Sequence, residues 1–264
     1  MVADSELADG SGARMILEGR IVVVTGAGGG LGRAISLDCA RKGATLILAD
    51  LDEARCAQTA DAIATEGHSC EVHALDLGDP ASIERFAETL AGARDHIHGL
   101  VNNGAIATGI GGVGFRDVTI DTWDAVMRVN VRGTWLMTRA LTPLLAASGS
   151  GRVVNLASDT ALWGAPNLMP YTASKGAVIA MTRSMARELG PDRIGVTVVA
   201  PGILTTQSTE YVPEHRHKLY QDGRAVPGPQ SAEDVTGTIS FLLSSEALTL
   251  TGQTLPVNNG FVFN

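Results

Sequence analysis

The sequence Ile21-Val22-Val23-Val24-Thr25-Gly26-Ala27-Gly28-Gly29-Gly30-Leu31-Gly32 joins a run of β-branched residues to a glycine-rich turn. The run predicts a buried strand, and the apolar periodicity over residues 31–42 predicts a helix directly after the turn. Glycines let the backbone approach a phosphate closely, and the first turn of a helix offers unpaired N–H groups that favour an anion. The segment therefore predicts a strand, turn and helix that bind a nucleotide.

The alternation of strands and helices continues along the chain. Further strands are predicted at 45–50, 70–75, 98–102, 152–156, 194–199 and 253–257, and further helices at 52–66, 80–91, 121–147, 170–189 and 232–244. Strands that alternate with helices form parallel sheets through crossover connections. Because no linker divides the chain, we predict one α/β domain over 18–264. It has a Rossmann-type, doubly wound, seven-stranded parallel sheet with helices on both faces.

The composition argues against several classes of protein. Of 264 residues, 45% are hydrophobic, and the net charge of −8 is spread along the chain without a basic run, which disfavours a nucleic-acid or anionic-membrane surface. No apolar stretch reaches the roughly 20 residues of a membrane span. Cys39, Cys56 and Cys70 lack Cys-x-x-Cys spacing, so we expect reduced thiols in a cytoplasmic protein. Residues 1–17 are predicted to be a flexible tail.

Polar residues follow several of the predicted strands. Asp50 ends the second strand, 18 residues after Gly32, where a carboxylate can hold ribose hydroxyls. The same carboxylate would repel a 2′-phosphate, so NAD is favoured over NADP. The alternative is that Asp50 caps the next helix, although Asp52 could also be that cap. Asp76 and Asn103 follow the third and fourth strands at the same edge of the sheet.

A second glycine-rich segment contains the literal pattern G-x-G-x-x-G at residues 109–114. It starts seven residues beyond a predicted strand and stops seven before the next helix, so it lacks the strand, turn and helix context of a nucleotide site. We interpret it as a mobile loop.

Three residues in the second half could carry acid–base chemistry. Tyr171 and Lys175 lie four apart on a predicted helix, so both side chains would face one cleft, where a cation favours the phenolate. Ser158 follows a strand thirteen residues earlier and could meet Tyr171 at one carbonyl oxygen. A half-buried tyrosine beside an extended lysine is the alternative for the pair alone.

The motifs together resemble those of the classical short-chain dehydrogenase/reductases. They are Thr25-Gly-x-x-x-Gly30-x-Gly32, Asp76, Asn103, Asn130, Ser158, Tyr171-x-x-x-Lys175 and Pro201-Gly202, in the family's order and spacing over about residues 17–260. Two segments depart from the family pattern. Asn102-Asn103-Gly104-Ala105 stands for Asn-Asn-Ala-Gly, and Val257-Asn258-Asn259-Gly260 for Val-Asp-Gly-Gly.

The resemblance implies a role for each matching residue. Tyr171 would exchange a proton with the substrate, Ser158 would stabilise the developing alkoxide, and Lys175 would lower the pKa of Tyr171 and bind the nicotinamide ribose. Asn130 would hold a water of the proton relay, with a structural bond as the alternative. The implied cofactor-binding residues are Gly26, Gly29, Gly30, Leu31, Gly32, Asp50, Leu51, Asp76, Leu77, Asn103, Gly104, Ala105, Tyr171, Lys175, Pro201, Gly202, Leu204 and Thr206.

The substrate side is predicted from residues 203–229, which the resemblance makes a lid. Leu162, Trp163, Met169 and Ile203 could form an apolar wall, or the first three could be core. His215 and His217 are expected to be solvated lid residues, since no third ligand for a metal is evident.

The predicted function is NAD-dependent oxidation or reduction of a secondary alcohol or ketone, hydrophobic or ring-containing. A 3-oxoacyl carrier-protein reductase and a sugar or polyol dehydrogenase are alternatives, as is a cofactor-binding regulatory protein without turnover. The family is commonly tetrameric, which implies a homotetramer that pairs the helices at 121–147 and 170–189.

Overall fold

The seven strands of the protein form one sheet in the computed structural model, which describes residues 15–264 except the side chain of Ser208. The strands are Ile21–Thr25 (β1), Thr45–Asp50 (β2), Cys70–Ala74 (β3), Gly99–Asn102 (β4), Arg152–Leu156 (β5), Gly195–Pro201 (β6) and Thr254–Val257 (β7). All neighbouring strands are parallel, in the order β3-β2-β1-β4-β5-β6-β7. The predicted doubly wound sheet is confirmed. Its order reverses between β1 and β4, where such sheets bind ligands.

The helices also follow the predicted alternation, with two additions. They are Gly30–Arg41 (α1), Glu53–Thr65 (α2), Pro80–Ala93 (α3), Ile120–Val126 (α4), Thr134–Ala147 (α5), Thr160–Trp163 (α6), Met169–Leu189 (α7), Glu214–Gly223 (α8) and Glu233–Leu242 (α9). The short helix α6 and the lid helix α8 were not predicted. Among residues 15–264, no helix is long and apolar enough to cross a membrane.

Both faces of the sheet are buried, which explains the continuous apolar run of β1. Val22 and Val24 pack with α1, α2 and α9, whereas Val23 packs on the other face with α3 and α5. Successive side chains of a strand point to opposite faces, so a strand covered on both sides needs apolar residues throughout. The cysteines are free thiols, as predicted, and Cys39 and Cys56 are buried in the first of these cores.

The N-terminal boundary differs slightly from the prediction. Residues 1–14 of the predicted tail lie outside the described residues. Leu17 is fully buried, and its N–H donates to the carbonyl of Lys42 at 3.0 Å. The packed domain therefore includes Leu17, one residue before the predicted start.

The predicted helix over 121–147 contains an irregular turn. A π-helical segment, Met127–Gly133, separates α4 from α5, and Asn130 lies inside it. Thr119 caps the start of α4 by accepting a hydrogen bond from the N–H of Thr122 at 3.1 Å. A Cβ at Gly133 would lie 2.7 Å from the carbonyl oxygen of Leu77, so the wide turn passes close to the loop after β3. Such π-helical turns occur frequently at functional sites.

Candidate active site

A cavity of about 610 Å³ runs along the carboxyl ends of the strands. It is lined by the glycine-rich turn after β1, the loops after β2 to β6, the start of α7 and the lid. Ser158 and every residue predicted to bind the cofactor lie on its wall, and Asn130 lies behind it. The literal G-x-G-x-x-G segment at 109–114 does not line it; the N–H of Gly112 instead donates to the carbonyl of Asn167 at 2.8 Å.

The glycine-rich turn is packed so closely that side chains would not fit. A Cβ at Gly32 would overlap the carbonyl oxygen of Gly26, and one at Gly26, where φ is +66°, would lie 2.7 Å from Cα of Gly104. Asn103 Nδ2 donates to the carbonyls of Thr25 at 3.0 Å and Gly26 at 3.1 Å, which joins the turn to the end of β4. No side chain caps the first turn of α1, so its N–H groups remain available to an anion.

Asp50 and Asp52, at the end of β2, have different structural roles. Asp52 caps α2 by accepting from the N–H of Arg55 at 3.1 Å. Asp50 Oδ2 accepts from the N–H of Gly28 at 2.8 Å, and its Oδ1 accepts from the N–H of Asp52 at 3.0 Å. The alternative role of Asp50 as the cap of α2 is therefore wrong. Its oriented carboxylate lines the cavity.

Arg55 is a cavity residue that the sequence reasoning missed. Its guanidinium lies against Gly29, in the space that a side chain at that position would need. This places a cation beside the start of α1. Cβ of Arg55 and Oδ2 of Asp50 both lie within about 3 Å of where a Cβ of Gly28 would be, so the two residues flank the same glycine. The α2 sequence alone carries no signal for this contact, which depends on the missing side chain of Gly29.

Ser158, Tyr171 and Lys175 meet at the other end of the cavity. Ser158 lies close enough to Tyr171 to lower the pKa of its phenol. Lys175 is buried; its Nζ lies 5.5 Å from the ring centroid of Tyr171 and donates to the carbonyl of Leu156 at 2.8 Å. The strand end of β5 and the first turns of α7 thus bring the three side chains together.

The pKa of Tyr171 shifts in the direction opposite to our prediction. Burial raises it to about 12, and the hydrogen bond from Ser158 only partly opposes this shift. The groups that shift the pKa of Tyr171 do not include Lys175, and burial also lowers the pKa of Lys175 to about 8. The role of Lys175 in tuning Tyr171 stays a prediction. In this arrangement Tyr171 is a neutral phenol at pH 7 and is prepared to donate a proton.

Asn130 is bonded to protein at both ends of its side-chain amide. Its Oδ1 accepts from the N–H of Ile106 at 2.7 Å, and its Nδ2 donates to the carbonyl of Ile106 at 3.0 Å and to Ser174 Oγ at 3.1 Å. These contacts provide the structural bond that the sequence left open as an alternative. The water-holding role stays a prediction.

Several residues of the predicted lid line the same cavity as Ser158. Tyr211 donates to the carbonyl of Ala107 at 2.7 Å, across the cavity mouth. Of the predicted apolar wall, only Ile203 lines the cavity. Leu162 instead packs in a core with Ala157, Trp163 binds a lid residue and Met169 is exposed, so the other three wall predictions are wrong. The apolar residues that line the cavity include Ile106, Leu168, Ile203 and Val212.

A buried polar cluster lies directly behind Ser158. Tyr220 of α8 donates to Asp159 Oδ1 at 2.9 Å and accepts from Trp163 Nε1 at 3.0 Å. Asn258 Nδ2 donates to Asp159 Oδ2 at 3.4 Å, so this position, where the family has Asp, connects the C-terminal segment to the cluster. Burial raises the pKa of Asp159 to about 6 despite these donors. No sequence pattern indicates a contact between residues so far apart.

Three smaller predictions concern glycine, alanine and histidine. A Cβ at Gly104 would lie 2.7 Å from Leu77 Cδ1, so glycine suits this position, and the methyl of Ala105 lines the cavity as expected.

His215 is exposed, and His217 Nε2 lies 3.2 Å from the carbonyl of Thr209. The part of the chain that the structure describes contains no group of three residues suited to a metal.

Comparisons with known proteins agree with this geometry. A family model described as enoyl-(acyl carrier protein) reductase matches residues 26–262. The chain is 31% identical over 252 residues to 3-oxoacyl-(acyl-carrier-protein) reductase of Thermotoga maritima, covering 94% of this chain and 100% of that protein. It is 32% identical over 251 residues to cyclopentanol dehydrogenase of Comamonas sp., covering 93% and 98%.

A solved structure is similar throughout. It is described as an NAD(P)-dependent gluconate 5-dehydrogenase from Beutenbergia cavernae with NADP bound at low occupancy, and it has a TM-score of 0.87 and 34% identity over 94% of this chain and 98% of that one. The chain therefore belongs to the classical short-chain dehydrogenase/reductase family and is an oxidoreductase that acts on small molecules.

Proposed function

We propose that this chain is an NAD-dependent oxidoreductase that transfers hydride between nicotinamide and a secondary alcohol or ketone. The observation that carries the proposal is a single cavity with Asp50 and the glycine-rich turn at one end and Ser158, Tyr171 and Lys175 at the other. The turn and the uncapped start of α1 suit a pyrophosphate, and Asp50 suits the ribose hydroxyls.

A bound nicotinamide would supply the hydride chemistry, while the chain manages the oxygen and its proton. Tyr171 donates its proton to the carbonyl oxygen in reduction and accepts one from the alcohol in oxidation. Ser158 hydrogen-bonds the same oxygen and stabilises its developing negative charge. Lys175 keeps further N–H donors beyond its bond to Leu156, and we assign these to the ribose hydroxyls.

The preference for NAD rests on Asp50, since both of its oxygens are held toward the cavity by backbone N–H groups. A 2′-phosphate placed there would meet a carboxylate at short range. The guanidinium of Arg55 would attract a 2′-phosphate, which would reduce the preference for NAD without reversing it.

The apolar lining near Ser158 supports a substrate with a hydrophobic body. The names of the two relatives described above indicate different substrates, and their sequence identities to this chain are nearly equal. The comparison with them therefore does not distinguish an alcohol from an acyl carrier-protein substrate. We further propose a cytoplasmic homotetramer that pairs α7 with the surface of α4 and α5.

A spectrophotometric panel tests the function. NADH absorbance is followed with aromatic and alicyclic secondary alcohols and their ketones, with NAD and NADP in parallel. We expect turnover with NAD, and a loss of at least roughly 100-fold in Tyr171→Phe with NADH affinity retained in a fluorescence titration. If the wild-type protein binds cofactor but converts no panel member with either cofactor, the binding-protein alternative replaces this proposal.

A further inference from the structure

The charges on the cavity wall differ between its two ends. Among the described residues, the charged side chains that line it are Asp50, Arg55, Asp76, Lys175 and Arg216. Both carboxylates lie after β2 and β3, at the nucleotide end. The substrate end beneath the lid therefore has two cations, Lys175 and Arg216, and no lining carboxylate.

Arg216 lies in the first turn of α8, and its guanidinium has one hydrogen-bond partner among the described residues. Its Nη2 donates to the carbonyl of Pro166 at 2.9 Å. Within residues 15–264, no carboxylate forms an ion pair with it. A guanidinium carries five N–H donors in a planar fork that matches a carboxylate, so most of its binding capacity is unused.

The helix that carries Arg216 is anchored beside the candidate reaction centre. Tyr220 lies four residues later, on the same face of α8, and also lines the cavity. Its bond to Asp159 holds this face of the helix against the residue that follows Ser158. The positive charge of Arg216 acts on Tyr220, where it partly opposes the rise that burial causes in the pKa of the phenol. The buried contact thus holds α8, which carries Arg216, beside the loop that contains Ser158.

We propose that Arg216 binds a carboxylate of the substrate, so that the preferred substrate is a hydroxy acid or keto acid with an apolar body. This inference rests on the proposed oxidoreductase function. It adds a charged recognition residue to a lid whose other cavity-lining side chains are uncharged.

Matched substrate pairs test the inference. Acetoacetate and levulinate are compared with their methyl esters, and dihydroxyacetone phosphate with dihydroxyacetone, in wild type, Arg216→Gln, Arg216→Lys and Lys218→Gln. Lys218 is exposed on the same helix and does not line the cavity, so its variant is the charge-matched control.

We expect Arg216→Gln to lower kcat/KM for the keto acids by roughly 10- to 100-fold, the range for a charge-assisted hydrogen bond. The esters should change by less than about threefold, and Lys218→Gln should change nothing. Arg216→Lys should recover part of the loss. Equal losses of kcat/KM for acids and esters would show that Arg216 acts only through its hydrogen bond to Pro166. A higher kcat/KM for dihydroxyacetone phosphate than for both keto acids would overturn the carboxylate assignment.

A binding measurement separates failure of this inference from failure of the proposed function. Levulinate is titrated into the NADH complex and followed by cofactor fluorescence. Binding that Arg216→Gln abolishes would support the site even if no turnover occurs. If wild type neither binds nor reduces any keto acid while it reduces neutral ketones, the inference is wrong and the proposed function stands.

Discussion

Tyr220 of the lid helix and Asp159 of the loop after β5 share a hydrogen bond of 2.9 Å that joins two segments 61 residues apart in sequence. Asp159 is fully buried, and it directly follows Ser158. The bond therefore connects the lid to the candidate reaction centre. It also places an ionisable group where its charge is costly.

The first prediction concerns stability as a function of pH. The pKa of Asp159 is about 6 in the folded protein, against about 3.9 in an unfolded chain. Between these values the folded protein binds more protons, so this group's contribution to the free energy of unfolding decreases as the pH rises from about 4 to about 6. We expect Asp159→Asn to unfold with a free energy up to about 3 kcal/mol higher than wild type at pH 7, with no advantage at pH 4.

Chemical denaturation at several pH values measures this difference. Tyr220→Phe is the contrasting variant, because it removes a donor from the buried carboxylate and should lower the free energy of unfolding by about 1–3 kcal/mol at pH 7. A difference between wild type and Asp159→Asn that stays constant from pH 4 to pH 7 would contradict the prediction.

The second prediction concerns the pH dependence of activity. With the pKa of Tyr171 raised to about 12, the phenol is protonated at neutral pH and only a small fraction is available as a base. We expect kcat/KM for alcohol oxidation to rise by up to roughly tenfold per pH unit above neutrality. Ketone reduction, which uses the phenol as an acid, should be nearly flat from pH 6 to pH 7.

Initial rates of oxidation and of reduction, measured from pH 6 to above neutrality, test this prediction. The Asp159 charge contributes to the raised pKa of Tyr171, so Asp159→Asn should move the oxidation profile to lower pH. An oxidation optimum near pH 7 in wild type would show that the phenol is ionised more readily than its burial implies.

Most of the fold could be predicted because it follows from local patterns. The β-branched runs became strands with bounds within about two residues of those predicted, since burial on both faces leaves a continuous apolar signature. Tyr171 and Lys175 could be placed together because helical spacing alone puts them on one face.

The remaining features depend on contacts between distant segments. Arg55 reaches the cavity because Gly29, on another loop, has no side chain. The Tyr220–Asp159 bond joins residues that have no shared sequence pattern. The pKa of Tyr171 could not be predicted from its spacing to Lys175, because burial by the surrounding elements is the largest cause of its shift.

The third prediction separates the effects of Asp50 and Arg55 on cofactor choice. Removing the carboxylate in Asp50→Ala should raise kcat/KM with NADP relative to NAD, because repulsion of a 2′-phosphate disappears and Arg55 remains beside Gly29. The double variant Asp50→Ala/Arg55→Ala should lose most of that gain: its kcat/KM with NADP should be lower than that of Asp50→Ala by roughly tenfold or more.

Steady-state kinetics with both cofactors in the four proteins of this cycle give the coupling between the two residues. Arg33→Ala is a suitable control, since Arg33 donates to the carbonyl of Gln58 and does not line the cavity. Equal NADP activity in the single and double Asp50 variants would exclude Arg55 from phosphate recognition.

The fourth prediction tests the proposed tetramer through the surface of α7. A Cβ at Gly176 would have no heavy atom within 4 Å in the described chain, and Ala180 one turn later is exposed. Gly176→Leu should therefore be accepted by the isolated subunit and favour its helix by up to about 1 kcal/mol. If small residues let α7 approach a second copy of the chain, the larger side chain should separate the copies.

Size-exclusion chromatography with light scattering measures the mass of each protein. We expect a tetramer for wild type and a dimer or monomer for Gly176→Leu. Gly92→Leu on α3, where a Cβ is equally unobstructed, should leave the mass unchanged. Since both substitutions add the same apolar side chain to a helix, a change confined to Gly176→Leu locates the contact on α7, and an unchanged tetramer in both variants would exclude this face from the interface.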